Sequence, residues 1–387
     1  MLALLAAGES LGMTLWFSAT AAAPALVAEF HLSAGGAAWL TMAVQGGFVA
    51  GTLVSAVLNL PDLLAARRLF ALGCILGAIA TAAVTRAETA SAAFLLRFCT
   101  GAALAWVYPT GMKIVASWFA RDRGTGLGVL VASLTVGQAF PHLLAALAPA
   151  SSWQARMLVS AALAVCGGVL VLTAVHDGPH LAPLGRFDPR AAAALFRNVR
   201  TRLAAFGYLG HMWELYAMWS WAGMFAAASL AASGRADVSR AASIAAFLAI
   251  ATGSVGCLLG GVLADRIGRA RVAGFALVLS GSCALVSGLV YGQHPALLYA
   301  LLAGWGLVVV ADSAQFSALI ADYSPRSHVG TALATETCCG YLLTMFSIRL
   351  MPAVAGAVTW RWTFLALVPG PVVGAWAMRA LSRATRP

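Results

Sequence analysis

Apolar windows, punctuated by glycine, proline and charged clusters, divide this chain into runs of nearly regular length. They predict membrane-spanning helices near 2–28, 37–60, 68–86, 91–117, 124–148 and 153–175, and, after a break, near 203–230, 240–263, 270–291, 296–321, 329–350 and 360–381. A helix needs about 20 apolar residues to cross the hydrocarbon core, so these twelve spans and their short loops nearly consume the 387 residues. The longest polar stretch, 176–202, holds Pro179, Pro183 and Pro189 and a short basic helix candidate over 191–202, which reads as a linker. The expected fold class is an all-α membrane protein: a six-helix bundle over 1–175, a cytoplasmic linker over 176–202 and a second six-helix bundle over 203–387. The first apolar run passes Glu9 and Pro24 and is too long for a signal-peptide core, so it counts as a span.

Composition agrees with that pattern. Hydrophobic residues make up 61% of the chain and charged ones 10%, with mean hydropathy +0.87, far too apolar for a soluble globule. The net charge of +11 comes from arginines and a single lysine, Lys113. On a soluble protein it would suggest nucleic acid; here it follows the loops, and no nucleic-acid partner is expected. With the N-terminus inside, sixteen arginines fall on the cytoplasmic side, among them Arg67, Arg68, Arg121, Arg123, Arg266, Arg269, Arg271, Arg326 and Arg386. Only Arg86, Arg156, Arg235, Arg240, Arg349 and Arg361 fall on the other. The positive-inside rule therefore places both termini in the cytoplasm of a multi-pass protein of the cell inner (plasma) membrane. The seven cysteines lie inside apolar runs with no CxxC and no metal-ligand spacing, and read as packing residues. No metal site and no cofactor is expected.

An internal repeat supports two bundles. Gly8, Glu9 and Ser18 of the first span align with Gly210, His211 and Ser220 of the seventh at an offset of 202, and the loop acids Asp62 and Asp265 align at 203. A duplicated six-span unit is the architecture of transporters whose halves rock about a central site.

Between the eighth and ninth spans stand Gly261, Asp265, Arg266, Gly268, Arg269 and Arg271. Their spacing resembles the GxxxDRxGRR signature of the major facilitator superfamily (MFS). Glycines there would let two helices approach closely, and an acid at the membrane edge would latch one conformer. The first-half copy keeps Asp62, Arg67 and Arg68 but has Leu58, Leu63 and Ala65 at the other positions, so its latch would face the start of the fifth span at Gly124. Arg97 and Gly101 are similar to the family's RxxxG element, and Arg121, Arg123, Gly124 and Gly126 also match the family's pattern. The resemblance spans both halves. It implies twelve helices in two pseudo-symmetric bundles and solute transport by alternating access, with Asp62, Arg67, Gly261, Asp265, Arg266, Gly268 and Arg269 as the conformational latch. The proline-centred glycine motif of drug–proton antiporters is not matched in the fifth span, which reads Gly128, Gly137, Pro141 and His142.

Ionisable side chains inside spans are costly and mark function by default. The chain has Glu9, Arg97, His142, His211, Glu214, Asp312 and Glu336. His211, Glu214 and Met218 share one helical face, expected to line the cavity, with Tyr208 and Trp221 a turn away. A carboxylate beside a histidine, away from water, is chemistry suited to exchanging a proton; the same pair could instead only tie helices together. His211, Glu214 and Glu336 are the proton-coupling candidates. Arg97, Trp106, Tyr108, His142, Met218 and Asp312 are the substrate-binding candidates, Arg97 as anchor for an anion.

These residues point to a monomeric, proton-coupled secondary transporter whose partners are a small-molecule substrate, protons and the lipid bilayer. An anionic or zwitterionic cargo is favoured. The alternatives are efflux of cationic or amphiphilic compounds through Glu214, Asp312 and Glu336, copper transport, and a sensor that binds without moving its ligand. No enzyme is expected: no nucleophile with its base, HExxH or phosphate loop is found.

Overall fold

Continuous apolar runs in lipid must satisfy their own backbone, and here they do so as helices. The computed structural model describes residues 1–119, 123–180, 188, 192, 197–325 and 328–384; Arg121, Arg326, Arg386 and most of the expected linker, including 191 and 193–196 of its basic helix candidate over 191–202, lie outside the described residues. Ten helical runs among the described residues are long and apolar enough to cross a membrane, with Leu2–Met13 a shorter apolar helix before them. The last run, Val329–Ala384, has 56 residues, about 84 Å at 1.5 Å per residue, so it passes twice. It breaks at Thr359, whose φ of 64° and ψ of 166° are not helical.

Several spans are interrupted, and each break has its own cause. Span one is Leu2–Met13 followed by the short helices Ser18–Ala21 and Ala23–Glu29. Span four is Ala90–Leu104 and Tyr108–Trp118, restarting at Pro109, which has no N–H to continue the ladder. Span ten is Pro295–Val309 and Ser313–Tyr323, with Asp312 at the joint. Span seven is one helix, Val199–Ala232. Spans two, three, five, six and nine are Ala34–Val57, Ala66–Val84, Arg123–Leu147, Trp153–Ala174 and Arg269–Val290. Span eight is Val238–Ala251 and Gly253–Ile267.

Lipid gives no hydrophobic drive between helices, so close backbone approach at small residues holds them together. A Cβ on Gly47 or Gly51 would lie 1.9 Å from the Phe98 carbonyl oxygen or 2.4 Å from that of Ala102. In the second half a Cβ on Gly256 or Gly260 would lie 1.8 Å from the Leu307 oxygen or 2.2 Å from that of Ala311, and the pairing of Gly51 with Ala102 recurs as that of Gly256 with Leu307 at an offset of 205. Spans one and six meet at Gly8 and Gly167, and spans seven and twelve meet at Gly210 and Gly370 in the same way. The repeat is thus also a repeat of packing. Gly261, expected at a helix crossing, faces open space, and its neighbour Gly260 makes the crossing instead. Gly268, at φ 92° in the turn between spans eight and nine, holds a conformation that an L side chain strains.

The two halves meet along spans two and eleven, where Thr344 donates to Gln45 Oε1 at 2.6 Å and the Arg349 guanidinium covers Gly35. They also meet where span five runs beside span eight, at Thr135 and Gly253.

Candidate functional site

Rings from both halves fill the centre of the molecule. Trp16 of span one lies 5.6 Å from both Tyr216 of span seven and Tyr341 of span eleven, and Phe48 of span two lies 4.8 Å from Tyr341. Phe17 approaches Tyr216 and Trp219, each at 6.3 Å. The Tyr216 and Tyr341 hydroxyls share a hydrogen bond of 2.8 Å, and the Gln138 amide stands beside Tyr216 without a well-aligned bond of its own. Around this cluster several buried donors have no partner among the described residues: Trp16 Nε1, Gln45 Nε2 and Gln138 Nε2. His142, behind Pro141 in span five, leaves Nε2 unbonded and packs its ring 6.3 Å from Phe17. A buried group without a partner is costly, and these donors all belong to the first half.

Across from them stands an acceptor. Glu336 of span eleven is 2% exposed, and neither carboxyl oxygen accepts a hydrogen bond. Tyr108 of span four and Tyr208 of span seven both lie within its electrostatic reach. Glu336, a proton-site candidate, and Tyr108, a substrate-site candidate, thus lie within electrostatic reach of each other across the two halves. Trp106 stays apart, with its Cβ against span three at Gly73 and its Nε1 unbonded.

Arg97 is fully buried but does not face this centre. Its Nη1 donates to the Leu15 carbonyl at 3.0 Å and to Ser18 Oγ at 3.1 Å, its Nη2 donates to the Trp16 carbonyl, and its Nε donates to the Leu40 carbonyl at 3.5 Å. The Leu15 and Trp16 carbonyls lie in the break of span one, and the Leu40 carbonyl belongs to span two. Every nitrogen of the guanidinium is engaged, so Arg97 closes a helix break and presents no donor to an anion.

The His211–Glu214–Met218 face of span seven, expected to line the cavity, turns away from it. Residues 216 and 219 face the first half, and 211 and 214 lie on another side of the same helix. His211 sits between Asp312 and Ser313 at the joint of span ten: its Nδ1 is 2.8 Å from Asp312 Oδ1, close but off the N–H direction, and its Nε2 is 2.9 Å from Ser313 Oγ. Glu214 accepts from Ser280 Oγ of span nine and from Trp305 Nε1 of span ten, each at 2.8 Å. Met218 is fully buried in the hydrophobic core. Asp312 and His211 therefore form one pair and Glu214 another cluster, both inside the second half. Glu214→Gln keeps most of this geometry and is expected to cost under about 1 kcal/mol, whereas Glu214→Ala strands the Trp305 N–H and should cost about 2–3 kcal/mol. Apparent Tm in detergent measures both.

The latch residues sit at the ends of spans. Asp62 pairs with Lys113 of span four at 2.6 Å and accepts from Asn59 at 3.2 Å, so the chain's lone lysine supplies a cation that the signature does not name. Arg67 contacts His176 Nδ1 at 2.9 Å, just past span six. In the second half Asp265 and Arg266 are exposed, and Arg269 makes the ion pair, with Asp322 at the end of span ten. Lys113, Tyr216, Tyr341, Gln45 and Gln138 were not among the sequence candidates. A search for ionisable groups passes over uncharged tyrosines and amides, and only their place in mid-span could have singled them out. No set of three or more His, Cys, Asp or Glu among the described residues is grouped to hold a metal ion.

A family model of the Major Facilitator Superfamily matches residues 5–261 and 218–387. A crystal structure of a mutant of the nucleoside transporter NupG is similar at TM-score 0.73 and 16% identity, covering 98% of this chain and 99% of that one, a likeness of fold. No curated protein sequence matches significantly.

Proposed function

We propose a cargo class and a coupling residue for this chain, which belongs to the Major Facilitator Superfamily and is a multi-pass secondary transporter of a small molecule. The cargo is a small zwitterion. Its acceptor end meets the unbonded donors of the first half, Trp16, Gln45 and Gln138, and its cationic end meets Glu336 of the second. Tyr108, Tyr208, Tyr216 and Tyr341 supply the walls. The observation that carries this reading is the Glu336 carboxyl, buried between the halves with both oxygens unpartnered. A carboxylate in that place needs a cation or a proton, and exchanging one for the other is how a proton gradient would drive the cargo. His211, Glu214 and Asp312, partnered within the second half, hold its spans in register. The chain works as a monomer in the plasma membrane with both termini in the cytoplasm, the orientation that its arginines favour, and with its halves over 1–175 and 203–387.

A second reading is efflux of cationic amphiphiles. A groove of about 360 Å³ between spans one, five and eight, lined by Ala6, Ser10, Val129, Ser133, Val136 and Leu258 among others, favours it, because such compounds enter from the bilayer.

The test is thermal unfolding in detergent at pH 6 and pH 8 against amino acids, small anions and cationic dyes, since a bound ligand raises apparent stability by mass action. Amino acids or other zwitterions should raise Tm in the wild type and not in Glu336→Gln. A shift with dyes alone moves the assignment to efflux, and a shift with plain anions that survives Glu336→Gln overturns the role of Glu336. In liposomes, uptake of the responding compound should rise with an imposed pH gradient by about tenfold or more, some 1.4 kcal/mol. Glu336→Gln should lose that response while still exchanging cargo, and Glu214→Gln should keep it.

A further inference from the structure

Spans nine and twelve run antiparallel in close contact. A Cβ on Gly281 would lie 2.9 Å from Pro371 Cβ, one on Gly374 would lie 2.9 Å from Leu277 Cδ1, and one on Gly274 would lie 3.4 Å from Met378 Cβ. Three residues further, towards the end of the bundle that carries both termini, this register sets Arg271 level with Leu381, between Arg379 and Arg383. The three arginines also share one side of the helix pair. Arg271 precedes Gly274 by three residues and Arg379 follows Met378 by one, about 60° and about 100° round in the same sense at 3.6 residues per turn. On antiparallel helices one sense of rotation leads to one side of the pair, and Arg383, four residues after Arg379, stays on that side. All three side chains are exposed and make no hydrogen bond or ion pair with the described residues, and neither span contains an acid. Deeper in the bilayer the same side is apolar and exposed, with Phe275 one turn from Arg271, and Val372 and Trp376 two turns from Arg379 and Arg383. The first half differs at this corner. At an offset of 203 the three arginines correspond to Arg68, His176 and His180, and there the chain docks back on the protein: His176 contacts Arg67, and the Gly178 and His180 amides donate to Ser117.

We propose that Arg271, Arg379 and Arg383 form a binding site for a membrane phospholipid with two phosphates, of the cardiolipin type, seated across the ends of spans nine and twelve. The charge fits such a headgroup: guanidiniums take phosphate oxygens in pairs, and three of them on two helices exceed what one phosphate can engage. The depth fits as well. The arginines stand at the helix ends, where headgroups lie, and Trp376 and Phe275 stand below them, where acyl chains begin. A lipid held by both helices would clamp spans nine and twelve together where their glycine contacts end. The site is independent of the cargo and of how its transport is driven.

The experiment is native mass spectrometry and thermal unfolding of the delipidated protein in detergent, titrated with cardiolipin, with phosphatidylglycerol at equal phosphate, and with phosphatidylcholine. Cardiolipin should bind one per chain and raise apparent Tm by about 5 °C. Phosphatidylglycerol should raise it less than half as much, and phosphatidylcholine not at all. The variant carrying Arg271→Gln, Arg379→Gln and Arg383→Gln should keep the lipid-free Tm, since these side chains hold nothing in the protein, and lose both the bound lipid and the shift. Arg379→Gln alone, a single exposed change, should lose at least half of the shift, so the site can be read even if the triple variant folds poorly. Arg68→Gln, the counterpart in the first half, should keep the whole of it. A cardiolipin shift that survives the triple variant would overturn the site. A shift equally large with phosphatidylglycerol would reduce it to general attraction between arginines and anionic lipid and overturn the two-phosphate assignment. Absence of any shift or bound lipid in the wild type would overturn both.

Discussion

Arg97→Met is expected to leave little folded protein, lowering stability by about 3–5 kcal/mol, the scale seen when one partner of a buried charged network is removed. The loss has two parts. The Trp16 carbonyl, in the break of span one, would lose its side-chain donor in a medium that supplies none, and the Leu15 and Leu40 carbonyls and the Ser18 hydroxyl would each lose one donor. Arg97→Lys should rescue poorly, because one ammonium cannot present the planar fork that reaches all four acceptors. Size-exclusion profile and apparent Tm in detergent read both variants. An Arg97→Met protein that eluted as a sharp peak with wild-type Tm, and had lost only affinity for an anion, would return Arg97 to the role of substrate anchor.

The second large effect belongs to the glycine crossings. Gly101→Ala and Gly256→Ala each place a methyl group 1.8 Å from a backbone carbonyl oxygen, of Val44 and Leu307 respectively, so whole helices must move apart. Overpacking of this kind costs about 1–3 kcal/mol where side chains can yield, and backbone yields less. Both variants should therefore unfold at clearly lower temperature than the wild type. Gly261→Ala is the control: nothing lies within 4 Å of its new carbon, and an alanine in a helix is favourable, so its Tm should be unchanged or slightly higher. A Gly256→Ala protein as stable as Gly261→Ala would mean that the crossing is not held by close contact.

Periodicity, composition and repeats made the architecture readable from the chain alone, and the same signals were silent on which way a side chain faces. Apolar length predicted the spans because lipid demands it, and the offset near 202 appeared again in the packing of Gly8 on Gly167 and Gly210 on Gly370. Span seven shows where this stops. Among its buried residues are Tyr208, His211, Glu214, Tyr216, Met218 and Trp219, so no polar stripe marks the side that meets the first half, and choosing by charge selected the side that meets spans nine and ten. Arg97 escaped for a different reason. Its acceptors are backbone carbonyls in a break over Thr14, Leu15, Trp16 and Phe17, a stretch without glycine or proline to announce it. The pairing of Asp62 with Lys113 was hidden because a lysine 51 residues away on span four is a neighbour only in the fold.

The left-handed residue at Thr359 also matters before the protein is folded. Because spans eleven and twelve share one apolar run of 56 residues, they leave the ribosome without a hydrophilic loop to mark where one crossing ends and the next begins. Arg361 is the charge in that neighbourhood, and in the finished protein it donates to the Gly288 carbonyl at 3.0 Å, a group on span nine that is already in place by then. The last two crossings thus form a single hairpin with basic residues at its two outer ends, Arg326 before it and Arg379, Arg383 and Arg386 at its close.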